Sequence, residues 1–194
     1  MSHPRPVKNR SSNLSLTIVG VGLVLIGVAA YFLLPIQPKT AGAQSDQQIS
    51  AIPVEVNYAA PELSLTDVKG VSASLADYRG QVVLVNLWAT WCPPCKQEMP
   101  TLQSYFALHA ADGFTIIAIN DGDPTADAVK FVQDYRLTFP VWLDPEYTAT
   151  EVAFKNMSLP SSYVLDRNGV VRLQWIGGIT NAMLEKYVTP LIKE

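Results

Sequence analysis

Cysteine and histidine are scarce in this chain, with two of each among 194 residues. A structural zinc site takes about four ligands, and His3 and His109 stand far in sequence from both thiols, so a domain built around zinc is excluded. Basic residues are also few. Lys and Arg total 14 against 17 Asp and Glu, a formal net charge of -3. No cationic field is available to hold phosphate backbones, which excludes nucleic acid as a partner. Charged residues make up only 16 %, whereas 48 % are hydrophobic, enough apolar surface for a real core in about one domain. There is no internal repeat and no low-complexity tract to suggest an array.

The few clustered positive charges are Arg5, Lys8 and Arg10, just before the uncharged apolar run 14–34. Roughly twenty apolar residues cross a bilayer as a helix, whereas a secretory signal core has about 7–15. The run is therefore expected to be a transmembrane anchor, although Ala41-Gly42-Ala43 has the small-x-small look of a cleavage site. Under the positive-inside rule residues 1–13 stay in the cytoplasm and everything beyond the span lies outside the cell membrane. Prolines, small residues and the stretch Gln44-Ser45-Asp46-Gln47-Gln48 make 35–57 a linker. One compact unit is left, 58–194.

Within that unit the pattern predicts an α/β domain with a central mixed sheet flanked by helices. Runs 82–87 and 114–120 are apolar and rich in β-branched residues, the signature of strands buried on both faces. Between them, 93–111 has helical spacing, with Met99, Leu102, Tyr105 and Phe106 as an inner stripe and His109 near its end. Asp123-Pro124 opens a second helix reaching about Tyr135, and 140–143 is a short strand. The segment 148–155 is irregular or helical. Strands 162–166 and 170–175 flank Arg167-Asn168-Gly169, a hairpin signal, and 181–193 closes as a helix. Ahead of all these, 63–75 reads as an added N-terminal β-hairpin around Lys69-Gly70.

The chain's two cysteines fall three apart, in Trp91-Cys92-Pro93-Pro94-Cys95-Lys96. Random placement gives that spacing only about 1 % of the time, so it calls for a reason. Cys92 stands where a strand meets a helix, beside unpaired N–H groups and the positive end of the helix dipole, which stabilises a thiolate. Cys95, one turn on, is expected to be more buried and to resolve a mixed disulfide. A structural disulfide closing so short a loop would restrict the unfolded chain little, and haem attachment needs a histidine where Lys96 stands. Neither Pro93 nor Pro94 has an N–H, so fewer donors reach the thiolate, which leans toward a reductant.

The segment from Asn86 to Lys96 resembles the active site of the thioredoxin superfamily, in its extracytoplasmic TlpA/ResA-like branch. Supporting pieces are Leu75-Ala76-Asp77-Tyr78-Arg79-Gly80, Glu98-Met99-Pro100 and the stretch 159–169, so the resemblance runs from about Ala60 to Glu194. It implies a thioredoxin-like fold and a thiol:disulfide oxidoreductase without a cofactor, whose catalytic residues are Cys92, Cys95, Glu98 and Pro160. Pro160 would be a cis-proline facing the dithiol. Trp91, Pro93, Pro94 and Leu159 would contact substrate, Trp91 as an exposed ring and Trp88 as core. Thioredoxin has a buried acid where this chain has Asn86. Glu98 would handle the Cys95 proton instead, unless it is an ordinary solvated helix glutamate. Lys96 either supports the thiolate or is simply solvated.

The implied partners are extracytoplasmic protein disulfides, with apocytochrome c as one candidate, and a membrane electron donor of the CcdA or DsbD type. A disulfide oxidant or isomerase on the same fold is the alternative direction. A Sco-like copper carrier would use Cys-x-x-x-Cys and a histidine, neither present around Cys92 or Pro160. A peroxiredoxin would set its cysteine in Pro-x-x-x-Thr-x-x-Cys, which Ala89-Thr90-Trp91-Cys92 does not reproduce.

Overall fold

Seven consecutive buried residues, Val82–Trp88, form the centre of the domain. The computed structural model describes residues 52–194. The expected cytoplasmic segment, the expected membrane anchor and the expected linker up to residue 51 lie outside the described residues. Among the described residues no helix is long and apolar enough to cross a membrane.

The strands are β1 (Val54–Ala59), β2 (Ser64–Asp67), β3 (Ser72–Ser74), β4 (Val82–Trp88), β5 (Phe114–Asp121), β6 (Val141–Asp144), β7 (Ser161–Leu165) and β8 (Val170–Ile176). They join one sheet in the order β1-β8-β7-β4-β5-β6-β2-β3. β4 pairs parallel with β5 and β5 parallel with β6, while every other pairing is antiparallel. The sheet is thus mixed, as its sequence pattern predicts. The parallel pairs require crossovers, supplied by helix α1 (Pro93–His109) and helix α2 (Thr125–Asp134).

Because side chains alternate across a strand, β4 feeds two cores. Val82, Leu84 and Trp88 face a layer with Met99, Leu102 and Tyr105 of α1 and with Leu184 and Val188 near the C-terminus, where Trp88 packs on Phe131 with ring centroids 4.4 Å apart. Val83, Val85 and Leu87 face the opposite layer with Leu63, Leu75, Trp142 and Ala149. Burial on both faces is why β4 and β5 lack polar alternation. The C-terminal segment 181–192 is helical with a wider π turn at Leu184–Val188, and a second such turn spans Thr148–Ala153.

β1 corrects the linker boundary. Val54–Ala59 pairs antiparallel with β8, with a bulge between Glu55 and Tyr58, so 54–57 belong to the sheet and not to the tether. β2 and β3 pair antiparallel, and β2 docks on β6 at the opposite edge. His109, near the end of α1, packs inward. It is 9 % exposed, its ring lies tilted against Tyr105 with centroids 4.5 Å apart, and its Nδ1 lies 3.2 Å from Asp112 Oδ2.

At the end of the sheet where β4 begins, Arg167 ties separate segments together. Its guanidinium donates to the carbonyls of Gly80, Asp112, Gly113 and Ile192. The adjacent turn is set by Asp166 Oδ1, which accepts from the amides of Asn168 and Val170, both at 2.9 Å. Gly169 takes the left-handed φ of +73° that the turn needs.

Candidate active site

At the other end of β4 the chain leaves the sheet and turns into α1. Asp123 fixes this turn. Its Oδ2 accepts from the Thr90 amide at 2.6 Å and from Asn120 Nδ2 at 2.7 Å. The Cys92 amide then bonds the Ala89 carbonyl at 3.2 Å. Cys92 itself is the N-cap of α1, in extended conformation, and Pro93 and Pro94 fill the first helical positions, where a missing N–H costs nothing. The first helical amide is therefore that of Cys95, which donates to Cys92 Sγ at 3.3 Å.

Cys92 and Cys95 form a disulfide with Cα atoms 5.3 Å apart. Both sulfurs are covered, the residues being 2 % and 0 % exposed. Trp91, Pro93, Pro94 and Lys96 are exposed around them, whereas Trp88 is buried. The register of β4 with β7 pairs Leu87 with Ser161, which brings buried Pro160 and half-buried Leu159 to the end of β4 from which the dithiol loop departs. The Leu159–Pro160 bond is cis, and the Pro160 carbonyl accepts from the Gly177 amide at 2.8 Å.

Glu98 is not a solvated helix residue. It is 1 % exposed, one turn past Cys95 on α1. Its Oε1 accepts from Asn86 Nδ2 at 2.8 Å and its Oε2 from the Ile179 amide at 2.9 Å. Burial pushes its carboxyl up from 4.5 to about 8, although these two donors pull in the opposite sense. At pH 7 the oxidised protein therefore holds Glu98 mostly as a neutral acid. Asn86 Nδ2 also donates to Ser162 Oγ at 3.1 Å, across the β4–β7 ladder.

The structure thus gathers Cys92, Cys95, Glu98, Pro160, Trp91, Pro93, Pro94 and Leu159 at one end of the sheet. The sequence reading did not single out Ser162, Asp123 or the Ile179 amide. Asn86 carried a signal, being the polar residue inside the apolar run Val82–Trp88. A backbone donor such as Ile179 leaves no mark in residue types. Among the described residues no group of three or more His, Cys, Asp and Glu could hold a metal ion.

A dithiol capping the helix that follows the central strand of a mixed sheet, with a cis-proline from the neighbouring strand, defines a thioredoxin-like redox protein. The AhpC/TSA family matches residues 56–174, and the chain belongs to this thioredoxin-like family. The thiol-disulfide oxidoreductase ResA of Geobacillus kaustophilus is 36 % identical over 135 residues, covering 70 % of this chain and 77 % of ResA. The thioredoxin-like protein YneN of Bacillus subtilis is 34 % identical over 151 residues, covering 76 % and 81 %. Among solved structures, a DsbE-type thiol:disulfide interchange protein from Chlorobium tepidum superposes with a TM-score of 0.66 at 31 % identity, covering 72 % of this chain and 99 % of that one. The chain is accordingly a thiol-disulfide oxidoreductase of ResA/DsbE type, acting on protein disulfides through the pair Cys92 and Cys95.

Proposed function

We propose that the protein works as a reductase outside the cytoplasmic membrane, anchored by 14–34, with Glu98 moving the Cys95 proton. The observation that carries the chemistry is the buried Glu98 carboxyl one helical turn from Cys95, held by two donors and pushed up to about 8. In the reduced protein the Cys92 thiolate attacks one sulfur of a substrate disulfide. A mixed disulfide forms and one substrate sulfur leaves as thiolate. Cys95 then gives its proton to the ionised form of Glu98 and attacks Cys92 Sγ, which releases the second substrate sulfur as thiolate and closes the disulfide seen here. Two electrons pass to the substrate. When an external dithiol reopens the bond, Cys95 departs and takes the proton from neutral Glu98, which restores the reduced pair.

Reduction is favoured over oxidation because Pro93 and Pro94 leave only the Cys95 amide to donate to Cys92 Sγ in the first turn. A strong oxidant needs an extensively stabilised reduced form. Pro160 and Leu159 would guide the substrate chain beside the dithiol, with Trp91, Pro93 and Pro94 touching it. By resemblance to the TlpA/ResA-like branch, the substrate would be an apocytochrome c Cys-x-x-Cys-His pair or a copper-site dithiol, and the donor a membrane protein of the CcdA or DsbD type.

Trapping tests this reading. With Cys95→Ser expressed in the native host, Cys92 should stall in mixed disulfides with extracytoplasmic partners, which mass spectrometry identifies. Recovery of no partner would refute substrate transfer. A potential against glutathione above about -150 mV would make the protein an oxidant instead.

A further inference from the structure

The proton affinity of Glu98 depends on a residue outside its helix. Asn86 is a polar residue within the buried strand β4, and a buried amide is tolerated only where its groups find partners. Its Nδ2 finds two, Glu98 Oε1 at 2.8 Å and Ser162 Oγ at 3.1 Å. Its Oδ1 has no hydrogen-bond partner among the described residues. Turning the amide over would set Oδ1 against the carboxyl oxygen and strand both N–H groups where Oδ1 now finds nothing. The orientation is fixed by what the N–H groups serve.

We propose that Asn86 is a positioning residue for the exchange of the Cys95 proton: clamped by Ser162, its amide orients the Glu98 carboxyl and favours the anionic form. The inference rests on the reading of Glu98 as proton handler. Each carboxyl oxygen takes one donor, Oε1 from Asn86 and Oε2 from the Ile179 amide. The plane of the carboxyl is thereby set, and one lone pair per oxygen stays available to a proton. Hydrogen bonds to a carboxylate are stronger than those to the neutral acid, so both donors oppose the effect of burial.

The surroundings supply no other counterweight. β4 presents Asn86, β7 presents Ser162 behind it, and the loop before the C-terminal helix presents Gly178, where a Cβ would lie 3.9 Å from Oε2, and the Ile179 amide. None of these titrates. Cys95, one turn earlier on Glu98's own helix, is held in the disulfide, and no ionised side chain among the described residues acts on the carboxyl. Without the Asn86 donor, Glu98 would keep its proton to higher pH, and the minority of carboxylate present near neutrality, the form that accepts the Cys95 proton, would shrink further.

The test is NMR on the full-length oxidised protein with 13C-labelled glutamate, comparing wild type with Asn86→Leu. The Glu98 carboxyl midpoint should rise by about one pH unit or more in the variant. A loss of packing alone would admit water and move it down instead. Should the variant fail to fold, the wild-type Asn86 side-chain amide resonance serves instead, and it should inflect at the Glu98 midpoint. An unmoved midpoint, or an amide that ignores the titration, overturns the role of Asn86 and leaves Glu98 as proton handler untouched. A midpoint that moves while the pH profile of disulfide reduction does not follow upholds the Asn86 contact and overturns the role of Glu98.

Discussion

Replacing Glu98 by glutamine keeps the size of the side chain and deletes its titration. The carboxyl stands at about 8 in the folded protein against an ordinary 4.5. Below pH 4.5 folded and unfolded chains both carry the proton, and the stabilising contribution is complete. Between 4.5 and 8 the unfolded chain has released the proton while the folded one keeps it, so stability falls as pH rises, by about 1.4 kcal/mol per pH unit. From pH 5 to pH 7 the wild type should lose roughly 3 kcal/mol from this group alone. The variant loses none of that, but it starts lower. Asn86 and Ile179 both donate to the carboxyl, and an amide has one oxygen to offer them, so one donor faces an N–H at a cost of about 1–3 kcal/mol. The stability curves should therefore converge and cross near neutrality. Urea unfolding of the two oxidised proteins at pH 5, 6, 7 and 8 measures this. Asp121, also raised chiefly by burial, is common to both and cancels in the difference. If the two proteins lose stability in parallel from pH 5 to pH 7, Glu98 does not hold its proton in the fold, and the proton route to Cys95 falls with it.

Trp91→Ala should leave the unfolding midpoint within about 0.5 kcal/mol, since the ring is 66 % exposed. The same change should raise KM for a protein disulfide several-fold while sparing a small dithiol-reducible disulfide, which steady-state kinetics on both substrates decides. Arg167→Ala should cost about 2–4 kcal/mol in urea unfolding, because up to four carbonyls lose a charged donor. Disulfide reduction measured under native conditions should be unaffected, since these contacts lie at the far end of β4 from Cys92.

The central strands were legible because burial on both faces leaves uninterrupted apolar runs, as at Val82–Trp88. The dithiol was legible because two cysteines three apart need a reason. Pro160 was not readable from its own residue type, and only the stretch around it, by resemblance, marked it. β1 was hidden by the polar and proline-rich residues before it, although Val54-Glu55-Val56-Asn57-Tyr58 alternates as an edge strand does. The π turns at Thr148–Ala153 and Leu184–Val188 have no pattern that separates them from ordinary helix. By residue type alone Glu98 is any helix glutamate, and only the resemblance marked it, because its partners Asn86 and Ile179 lie 12 and 81 residues away in the chain. Long-range register made that pocket, and local periodicity carries no trace of it.

Both thiols and the acid ride on α1, whereas the groups that grip the acid, Asn86, Ser162 and Ile179, belong to the sheet and the loop behind it. The two halves act as separate controls. A change that tilts α1 would move the sulfurs and the carboxyl together. A change in the sheet side of the grip retunes the proton and leaves the sulfurs where they are, so a lineage with this architecture can adapt to the acidity of its surroundings without rebuilding its redox pair.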